Sequence, residues 1–429
     1  MSPALPAAAV TCSFDGGAHR VTIELSGSST VSRGGGGEIV VDGTACGMAT
    51  TSNTDVIAVS GTAGAGDALV IDMSGGPFEP GATPESRSTS EIEFEVTLEG
   101  DGGDRVVING SANDDTFVAG DGGVLLNADP DVDVTFTGVG GLGLQGQSGN
   151  DILVGIGGQG ARGATPVALQ ILGGEGNDVL TGGTSDDRLE GGPGDDTLDG
   201  DSGSDHIDGQ EGRDTVTYAA SPFKARVKLW AGEATGWGTD ALLHLENVVG
   251  SPLGDRIEGD DRENHILGGA GRDRITGVGG NDMLVGGNGK DFFKAGPGDD
   301  TVIGGLGVDT YTLRSSRVPV KINLKKHVAL GQGTDLVLEC ENAVGGRSHD
   351  RVTGTGGRNH RLVGGKGKDV IRGLGGPDRI RGGKGDDVLI GGAGEDELRG
   401  TGGDDKLFGG PGRDLCLQGD GEGPTKSCP

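Results

Sequence analysis

Single apolar residues recur along most of this chain at intervals of nine. From residue 173 onward, Leu180, Leu189, Leu198 and Ile207 each stand between two variable residues, and a glycine-rich segment separates one triplet from the next. Successive side chains of an extended segment point to opposite faces, so each triplet turns one apolar side chain inward. The pattern predicts a tight turn followed by a short strand, repeated many times. No long stretch has helical periodicity, so we expect an all-β chain.

The complete unit is Gly-Gly-x-Gly-x-Asp-x-apolar-x, as in residues 173–181. Its glycines can adopt positive φ and allow two backbones to approach closely. One such strand alone cannot bury its apolar residue. Stacked copies can, because the apolar residues align inside a coil while each strand pairs with the strand one turn away. The sequence therefore predicts a parallel β-solenoid.

The aspartate at the sixth position of the unit keeps the nine-residue spacing through three blocks. The first block contains Asp178, Asp187, Asp196, Asp205 and Asp214; the second contains Asp255, Asp273, Asp282, Asp291, Asp300 and Asp309, with Asn264 in one place; the third contains Asp369, Asp378, Asp387, Asp396, Asp405 and Asp414. A glycine-rich linker without structure would not hold such a spacing.

This pattern resembles the calcium-binding nonapeptide repeat of RTX (haemolysin-type) proteins over roughly residues 173–417. The resemblance implies a parallel β-roll in which two units form one turn, so that the aspartates of every second unit are partners. Such pairs are Asp178 with Asp196, Asp187 with Asp205, Asp273 with Asp291, and Asp387 with Asp405. Spacing alone would allow other coil sizes.

The resemblance also implies that the aspartates of the three blocks are calcium ligands. Calcium takes six to eight oxygen ligands, typically carboxylates and main-chain carbonyls. The carbonyls are expected from turn glycines, among them Gly173, Gly176, Gly191, Gly194, Gly268, Gly271, Gly382 and Gly385. The number of pairs gives an upper limit of about a dozen ions. Zinc and iron fit poorly, because the ligand rows contain no Cys and His206 and His265 fall at an outward position.

Composition adds a condition to this fold. The chain has 93 Gly among 429 residues, 32% hydrophobic residues and a net charge of −30. Such a balance is typical of disorder, since little apolar burial offsets chain entropy and like charges repel. About twelve Ca²⁺ ions would contribute roughly +24 charges where the carboxylates crowd. We therefore expect the repeat region to be loosely structured without calcium and to fold on binding it.

A larger duplication is superimposed on the small repeat. Residues 218–249 and 313–344 lack the nonapeptide and align without a gap, with Gly238-Thr239-Asp240 matching Gly333-Thr334-Asp335. A unit of 95 residues is thus duplicated. Each spacer is expected to contribute longer strands to the same solenoid.

Upstream of residue 173 the pattern is looser but still β, as in the alternation of Ile92, Phe94, Val96 and Leu98. The sequence thus predicts eight segments: an N-terminal β cap (1–65), an irregular β-solenoid (66–172), repeat block 1 (173–217), a spacer (218–249), repeat block 2 (250–312), a second spacer (313–344), repeat block 3 (345–417) and a C-terminal tail (418–429).

Four of the five cysteines stand near the two ends of the chain. We expect one disulfide between Cys12 and Cys46 and another between Cys416 and Cys428, as in an oxidising compartment. Connectivity cannot be deduced from sequence, and free thiols in a cytosolic protein are the alternative. Cys340 takes the place of Leu245 in the 95-residue alignment, so we expect a small buried residue.

We expect an extracellular protein, secreted or at the cell surface. Calcium modules of low affinity require calcium concentrations of roughly 10⁻⁴ to 10⁻³ M, which are well above cytosolic levels. Residues 1–9 lack the basic and apolar parts of a signal peptide, so no export signal is clearly visible. No stretch approaches the length of a membrane span, and we expect no transmembrane segment.

Two classes of function fit the sequence. The favoured one is a non-enzymatic calcium-binding β-roll with a structural or adhesive role, since protease and lipase motifs such as His-Glu-x-x-His and Gly-x-Ser-x-Gly do not occur. Residues 345–417 hold 13 basic and 11 acidic residues, so calcium would make them positive. An anionic glycan or cell surface is the candidate partner, and solvated flanks are the alternative. Nucleic-acid binding is disfavoured by the overall charge and the scarcity of aromatics.

The other class is a polysaccharide lyase or epimerase with its site on the N-terminal solenoid and the repeats as a calcium-folded module. Such a site needs acidic and basic residues that converge on a groove. The cations available there are Arg20, Arg33, Arg87, Arg105 and Arg162, with His19 as the one histidine. This small number weakens the enzymatic interpretation.

Overall fold

Strands of three to eight residues, joined by glycine turns, make up nearly all of the regular structure. The computed structural model describes residues 10–61, 66–78, 92–98, 103–126, 132–156, 163–421, 424–426 and 428. Among these residues there is no α-helix, only two 3₁₀ turns at Leu229–Ala231 and Leu324–Lys326. The prediction of an all-β parallel solenoid is confirmed.

The strands of the first half become shorter as the nonapeptides begin. They are β1 (Thr11–Asp15), β2 (Arg20–Glu24), β3 (Ser28–Arg33), β4 (Glu38–Val41), β5 (Thr44–Thr50), β6 (Val56–Ser60), β7 (Ala68–Asp72), β8 (Glu93–Thr97), β9 (Arg105–Asn109), β10 (Thr116–Gly120), β11 (Gly123–Leu125), β12 (Val134–Thr137), β13 (Gly141–Ser148), β14 (Ile152–Val154), β15 (Ala168–Glu175), β16 (Val179–Thr181), β17 (Arg188–Pro193), β18 (Thr197–Asp199), β19 (His206–Glu211) and β20 (Thr215–Thr217).

The second half alternates repeat strands with the short strands of the spacers. They are β21 (Arg226–Lys228), β22 (Glu233–Thr235), β23 (Thr239–Leu243), β24 (Asn247–Val249), β25 (Arg256–Glu258), β26 (His265–Gly271), β27 (Arg274–Thr276), β28 (Met283–Gly289), β29 (Phe292–Lys294), β30 (Thr301–Gly307), β31 (Thr310–Thr312), β32 (Lys321–Asn323), β33 (Val328–Leu330), β34 (Thr334–Leu338), β35 (Asn342–Val344), β36 (Arg351–Thr353), β37 (Leu362–Lys366), β38 (Val370–Gly375), β39 (Arg379–Lys384), β40 (Val388–Ala393), β41 (Glu397–Gly402), β42 (Lys406–Phe408), β43 (Leu415–Gly419) and β44 (Thr425–Lys426).

The chain forms two compact units. The first comprises residues 1–216 with 238–245, and the second comprises residues 217–237 with 246–429. These two units do not correspond to the eight segments that the sequence predicts, and those segments remain a prediction.

On the side formed by β3, β7, β9, β13 and β15, the coils of the first unit shorten along the chain. In register, Val31 pairs with Ile71, and Ile71 pairs with Ile108. Ile108 then pairs with Leu144, and Leu144 with Ile171. Each of these coils contains fewer residues than the one before it. From β15 onward, strands β15, β17 and β19 pair in parallel at every second nonapeptide. Two nonapeptides per turn, which the resemblance implied, are therefore what the structure shows.

The second unit keeps the coil of two nonapeptides through both of its repeat blocks. Strands β26, β28 and β30 pair in parallel, as do β38, β40 and β42 on the same side of the coil. On the other side, β25, β27 and β29 form one such run and β37, β39, β41 and β43 another.

The apolar residue of each nonapeptide lies inside the coil. Leu180, Leu198 and Val216 are in register in the first unit and are fully buried. Ile371, Leu389 and Leu407 form the same ladder in the second unit. Each such side chain contributes about 1.5–3 kcal/mol by burial. With one apolar residue per nine, this core is thin.

The two spacers differ from the expectation of longer strands. Their strands are three to five residues long, and a 3₁₀ turn folds each one back as an antiparallel hairpin, β21 with β22 and β32 with β33. The turn ends in a left-handed residue, Gly232 with φ of 66° or His327 with φ of 57°. These two residues occupy the same place in the two copies of the duplicated unit, so the duplication extends to the backbone.

The cysteines near the ends are joined in the predicted pairs. Cys12 bonds to Cys46 and Cys416 to Cys428, with Cα atoms 5.7 and 5.9 Å apart. Cys340 is a free, buried thiol, and burial raises its pKa above the ordinary value. Within the described residues, no helix has the length and apolar character that crossing a membrane requires.

Candidate metal-binding rows

The aspartate that ends each nonapeptide turn lies inside the coil. All the aspartates predicted as metal ligands are at most 5% exposed. The turn places this residue directly before the strand triplet, so its side chain and the apolar side chain two positions later share the inner face. Each aspartate is therefore withdrawn from water by the same coil that buries the apolar ladder.

Aspartates of every second nonapeptide are in direct contact, as the resemblance implied. The Asp178 N–H donates to Oδ1 of Asp196 over 2.8 Å, and the Asp187 N–H donates to Oδ1 of Asp205 over 2.9 Å. In the same way, the Asp273 N–H donates to Oδ1 of Asp291 and the Asp387 N–H donates to Oδ1 of Asp405, each over 2.9 Å. Consecutive coils thus align their carboxylates in rows, which we call the aspartate rows.

The second carboxylate oxygen of most of these residues has no donor. It is buried and has no hydrogen-bond partner within the described part of the chain. An unpaired buried carboxylate oxygen is costly, because the charge loses its hydration. The aspartates with such an Oδ2 are Asp178, Asp196, Asp205, Asp273, Asp282, Asp291, Asp300, Asp309, Asp369, Asp378, Asp387, Asp396, Asp405 and Asp414.

Whether Oδ2 has a hydrogen-bond partner depends on which residue occupies the fourth position of the turn. In the turn before Asp196 that residue is Gly194, whose φ of 151° is accessible only to glycine at low cost. Gly385, before Asp387, has φ of 119°. This conformation leaves Oδ2 without a main-chain donor, and we call such turns open.

Asp187 and Asp255 lie in turns of a different kind. Their fourth turn residues are Ser185 and Leu253, and the N–H of the second turn residue, Gly183 or Ser251, donates to Oδ2 over 2.6 Å. Both oxygens of each carboxylate are thus bonded by the chain itself. These two residues, although predicted as ligands, have less need of a cation than the others. We call these turns closed.

The glycines of the open turns border the unpartnered oxygen. A Cβ on Gly173 would lie 2.2 Å from Oδ2 of Asp178 and 2.6 Å from the carbonyl oxygen of Gly191. A Cβ on Gly176, the fourth residue, would lie 1.6 Å from the carbonyl oxygen of Gly149 in the preceding coil. The neighbouring coil therefore restricts the fourth turn residue to glycine, whereas the first turn residue lies against the carboxylate and is Ala295 in the turn before Asp300.

The remaining predicted glycines have equivalent surroundings. For the first turn residues, the atom nearest to an added Cβ is Oδ2 of the turn's own aspartate, at 2.1 Å for Gly191, 2.7 Å for Gly268 and 2.3 Å for Gly382. For the fourth turn residues it is a main-chain atom of the adjacent coil, at 1.8 Å for Gly194, 2.4 Å for Gly271 and 2.0 Å for Gly385.

Burial shifts the ionisation of the aspartate rows. Desolvation, the largest cause, raises the pKa of Asp196, Asp273 and Asp387 to about 7 and that of Asp205 to about 8. Main-chain donors oppose this shift, while carboxylates of adjacent coils add to it. Near neutral pH, the carboxylates of the aspartate rows are therefore expected to bind either protons or cations.

The donor set fits a hard cation. It consists of carboxylate and main-chain carbonyl oxygens, which are the ligands that calcium prefers, and Ca²⁺ tolerates irregular geometry. Within the described residues no group of three or more His, Cys, Asp or Glu side chains converges on one point. An ion bound in these rows would therefore be held by the carboxylates of adjacent coils together with glycine carbonyls.

Sequence reasoning missed the members of the rows that lie in the spacers. The N–H of Asp205 donates to Oδ1 of Asp240 over 3.3 Å, and that of Asp300 to Oδ1 of Asp335 over 3.4 Å. Gly238-Thr239-Asp240 repeats the fourth to sixth positions of the nonapeptide, so a signal was present. The spacers thus continue the rows.

A second ladder, at the fifth turn position, was also missed. The Asp195 N–H donates to Oδ1 of Asn177, and the Arg213 N–H donates to Oδ1 of Asp195, both over 2.9 Å. The Asp404 N–H bonds Oδ1 of Asp386 in the same way over 3.1 Å. Asn and Asp recur at this position because their short side chains reach the backbone of the next coil.

Comparison with protein families agrees with the geometry. The family model of the RTX calcium-binding nonapeptide repeat, four copies long, matches residues 170–198, 181–216, 249–284, 276–311, 363–398 and 390–421. These matches cover nearly all of repeat blocks 1 and 2 and the part of block 3 from residue 363 onward. A comparison of the chain with curated proteins gives no match.

Proposed function

The chain belongs to the proteins with RTX calcium-binding nonapeptide repeats, found in several copies across residues 170–421, and from this premise we propose that it is a secreted, non-enzymatic β-roll that folds on binding calcium. Its role would be structural or adhesive at the cell exterior. Repeats of this family bind calcium.

The observation that supports calcium-dependent folding is the unpartnered carboxylate oxygen of the open turns. Without a cation, each coil of two open turns buries two carboxylate oxygens, one Oδ2 on each aspartate, that lack donors. The two apolar residues of the same coil offset only part of that cost. A cation bound in the row supplies the missing partner, and its binding free energy then becomes folding free energy.

Calcium titration tests this proposal. Protein freed of calcium with a chelator and transferred to metal-free buffer is titrated by calorimetry, with circular dichroism in parallel and magnesium chloride as the matched control. We expect uptake of several calcium ions with a transition from coil to β structure. We expect a much smaller response to magnesium, which demands near-ideal octahedral geometry. Full β structure in the calcium-free sample would contradict the proposal.

The location follows from the calcium requirement. Weak calcium modules are occupied at roughly 10⁻⁴ to 10⁻³ M, concentrations found outside cells. A chain that folds on calcium would remain loosely structured until export. Fractionation of the producing cells, with detection of the full-length chain in medium, surface wash and cytosol, tests this; a purely cytosolic protein would contradict it.

The surroundings of the N-terminal cations support the non-enzymatic role. Arg20 donates to Glu95 over 2.6 Å, His19 bonds Asp55 over 3.0 Å, and Arg33 donates to the Pro77 carbonyl over 3.1 Å. Arg105 is exposed on β9, and Arg87 and Arg162 lie outside the described residues. Release of unsaturated products from uronate polymers by the purified protein would favour the lyase alternative.

A further inference from the structure

The second unit contains a cleft whose charged lining residues are mainly cations. Its volume is about 890 Å³, and strands β37, β39 and β41 form one wall. Eight Arg and Lys side chains line it, against two carboxylates, Glu397 and Asp420. Nothing in the aspartate rows requires these cations, because they lie on the outer face of the sheet.

The cations stand in columns because the strands are in register. Arg381 pairs with Arg399, and Lys366 pairs with Lys384, each on adjacent parallel strands. Neighbouring strands are about 4.8 Å apart, so like charges repeat along the coil at that interval. The main chain between the two columns includes Gly383, whose lack of a side chain leaves a trough.

Several of these cations lack an acidic partner. Arg379 and Arg399 both bond Glu397, at 3.3 and 2.5 Å. Arg381, Lys366 and Lys384 are exposed and form no ion pair with any described residue. Like charges placed side by side are unfavourable, so this arrangement is expected to bind an anion with regularly spaced charges.

The repeat itself does not dictate this charge. In the first unit, the positions equivalent to Arg381 and Arg399 are Glu190 and Asp208, which are in register on β17 and β19. The position equivalent to Lys384 is Glu211 on β19. The same backbone therefore presents carboxylates in one block and cations in another, which marks the cleft as a particular surface.

We propose that this cleft binds an acidic polysaccharide. Such a chain carries carboxylate or sulfate groups at regular short intervals, and Arg presents a planar pair of donors to both groups. None of the described residues that line the cleft is Phe, Tyr or Trp, whereas single-stranded nucleic acids are held by stacking on successive aromatic side chains. A trough between two columns suits a single extended chain better than a flat bilayer.

The proposal rests on the proposed function in one respect, namely that calcium folds the block that carries the cleft. The test therefore begins with calcium uptake and circular dichroism of each sample. Binding is then measured by calorimetry at two salt concentrations with polygalacturonate and chondroitin sulfate. Neutral dextran, oligothymidylate and phosphatidylglycerol vesicles serve as the other probes.

The decisive variant replaces three cations of the cleft that form no ion pair with any described residue: Lys366→Gln, Arg381→Gln and Lys384→Gln. Its matched control removes three exposed cations from the opposite sheet of the same block, none of which lines the cleft: Arg351→Gln, Arg372→Gln and Lys406→Gln. We expect the cleft variant to bind the acidic polysaccharides about tenfold more weakly, and the control variant to bind like the original protein.

Each outcome decides the proposal. Salt-sensitive binding of an acidic polysaccharide that only the cleft variant loses supports it. Absence of binding by a sample that takes up calcium, equal loss in both triple variants, or tighter binding of oligothymidylate or vesicles overturns it. Absence of calcium uptake contradicts the proposed function instead. In that case, comparing the polysaccharide affinities of the two variants still tests whether the cleft is the binding site.

Discussion

Asp187 and Asp196 are the same residue at the same position of consecutive nonapeptides, yet their carboxylates differ in bonding. Oδ2 of Asp187 accepts the Gly183 N–H, whereas Oδ2 of Asp196 is buried without a partner. The difference arises from the fourth turn residue, which is Ser185 in one and Gly194 in the other. The fourth turn residue thus marks which of the two carboxylates the chain itself satisfies.

Substitution of the two aspartates separates open from closed turns. Asp196→Asn keeps an Oδ1 acceptor for the Asp178 N–H but removes the charge, and we expect the protein to bind about one calcium ion fewer. Asp187→Asn is the matched control and should leave the number of ions unchanged. Calorimetry and native mass spectrometry measure that number. Equal losses in both variants would contradict the distinction.

Glycine at the first turn position is open to a similar test. In Gly382→Ala, the new Cβ would lie 2.3 Å from Oδ2 of Asp387 and 2.9 Å from the Gly400 carbonyl oxygen. We expect a loss of about 1–3 kcal/mol in calcium-bound stability from this overpacking. Gly356→Ala is the control, because no described atom lies within 4 Å of its added Cβ. Thermal unfolding in excess calcium should show a lower midpoint for the first variant alone.

At the scale of the element, neighbouring carboxylates of an aspartate row affect one another's ionisation. Asp369 accepts from Asp350 in one coil and donates to Asp387 in the next, so each carboxylate lies near the charge of its neighbour. Burial, together with Asp387 and Asp350, raises the pKa of Asp369 to about 7. We therefore expect protons and calcium ions to compete for the same row.

This competition predicts opposite pH dependences with and without calcium. Because the folded-state pKa of Asp273, Asp369 and Asp387 is raised from 3.8 to about 7, protonation favours the fold. In calcium-free buffer, this stability is complete below pH 3.8 and is lost as the pH rises through about 7. Circular dichroism should show more β structure at pH 4 than at pH 8.

With calcium present the trend should reverse. Calcium binds the ionised carboxylates, so its apparent affinity should rise as the pH increases through 7. Calorimetric titration at pH 5.5 and pH 8 measures this change. Equal affinities at the two values, or less β structure at pH 4 than at pH 8 in calcium-free buffer, would show that the rows do not control folding.

The nonapeptide spacing was sufficient to predict strands, the apolar ladder and, with the family resemblance, the coil of two nonapeptides. It did not predict the closed turns, although Ser185 and Leu253 depart from the glycine of the unit, because only the backbone geometry shows that the Gly183 N–H then reaches Asp187. It missed Asp240 and Asp335, since only half of the unit recurs there. The longer coils upstream escaped detection because their residues in register are separated by more than two nonapeptides and follow no fixed period.

At the scale of the molecule, the interior of the first unit changes along the chain. Upstream strands bury several apolar residues each, such as Val21 and Ile23 on β2 or Leu69 and Ile71 on β7. A repeat strand such as β18 buries one, Leu198. Apolar burial alone therefore supports the upstream coils more strongly, and we expect the repeats to depend on neutralisation of their carboxylates.

Calcium removal should consequently unfold the first unit from one side only. In calcium-free buffer at pH 8, we expect amide hydrogens of β2, β6 and β7 to remain protected from exchange, while those of β16, β17 and β18 exchange rapidly. Hydrogen exchange with mass spectrometry of peptides measures both regions in one sample, and added calcium should restore protection in the repeats. If both regions lose protection together, calcium supports the whole unit and apolar burial upstream is insufficient. If neither does, the repeat strands are stable with their carboxylates ionised, and the unpartnered oxygens cost less than their burial indicates.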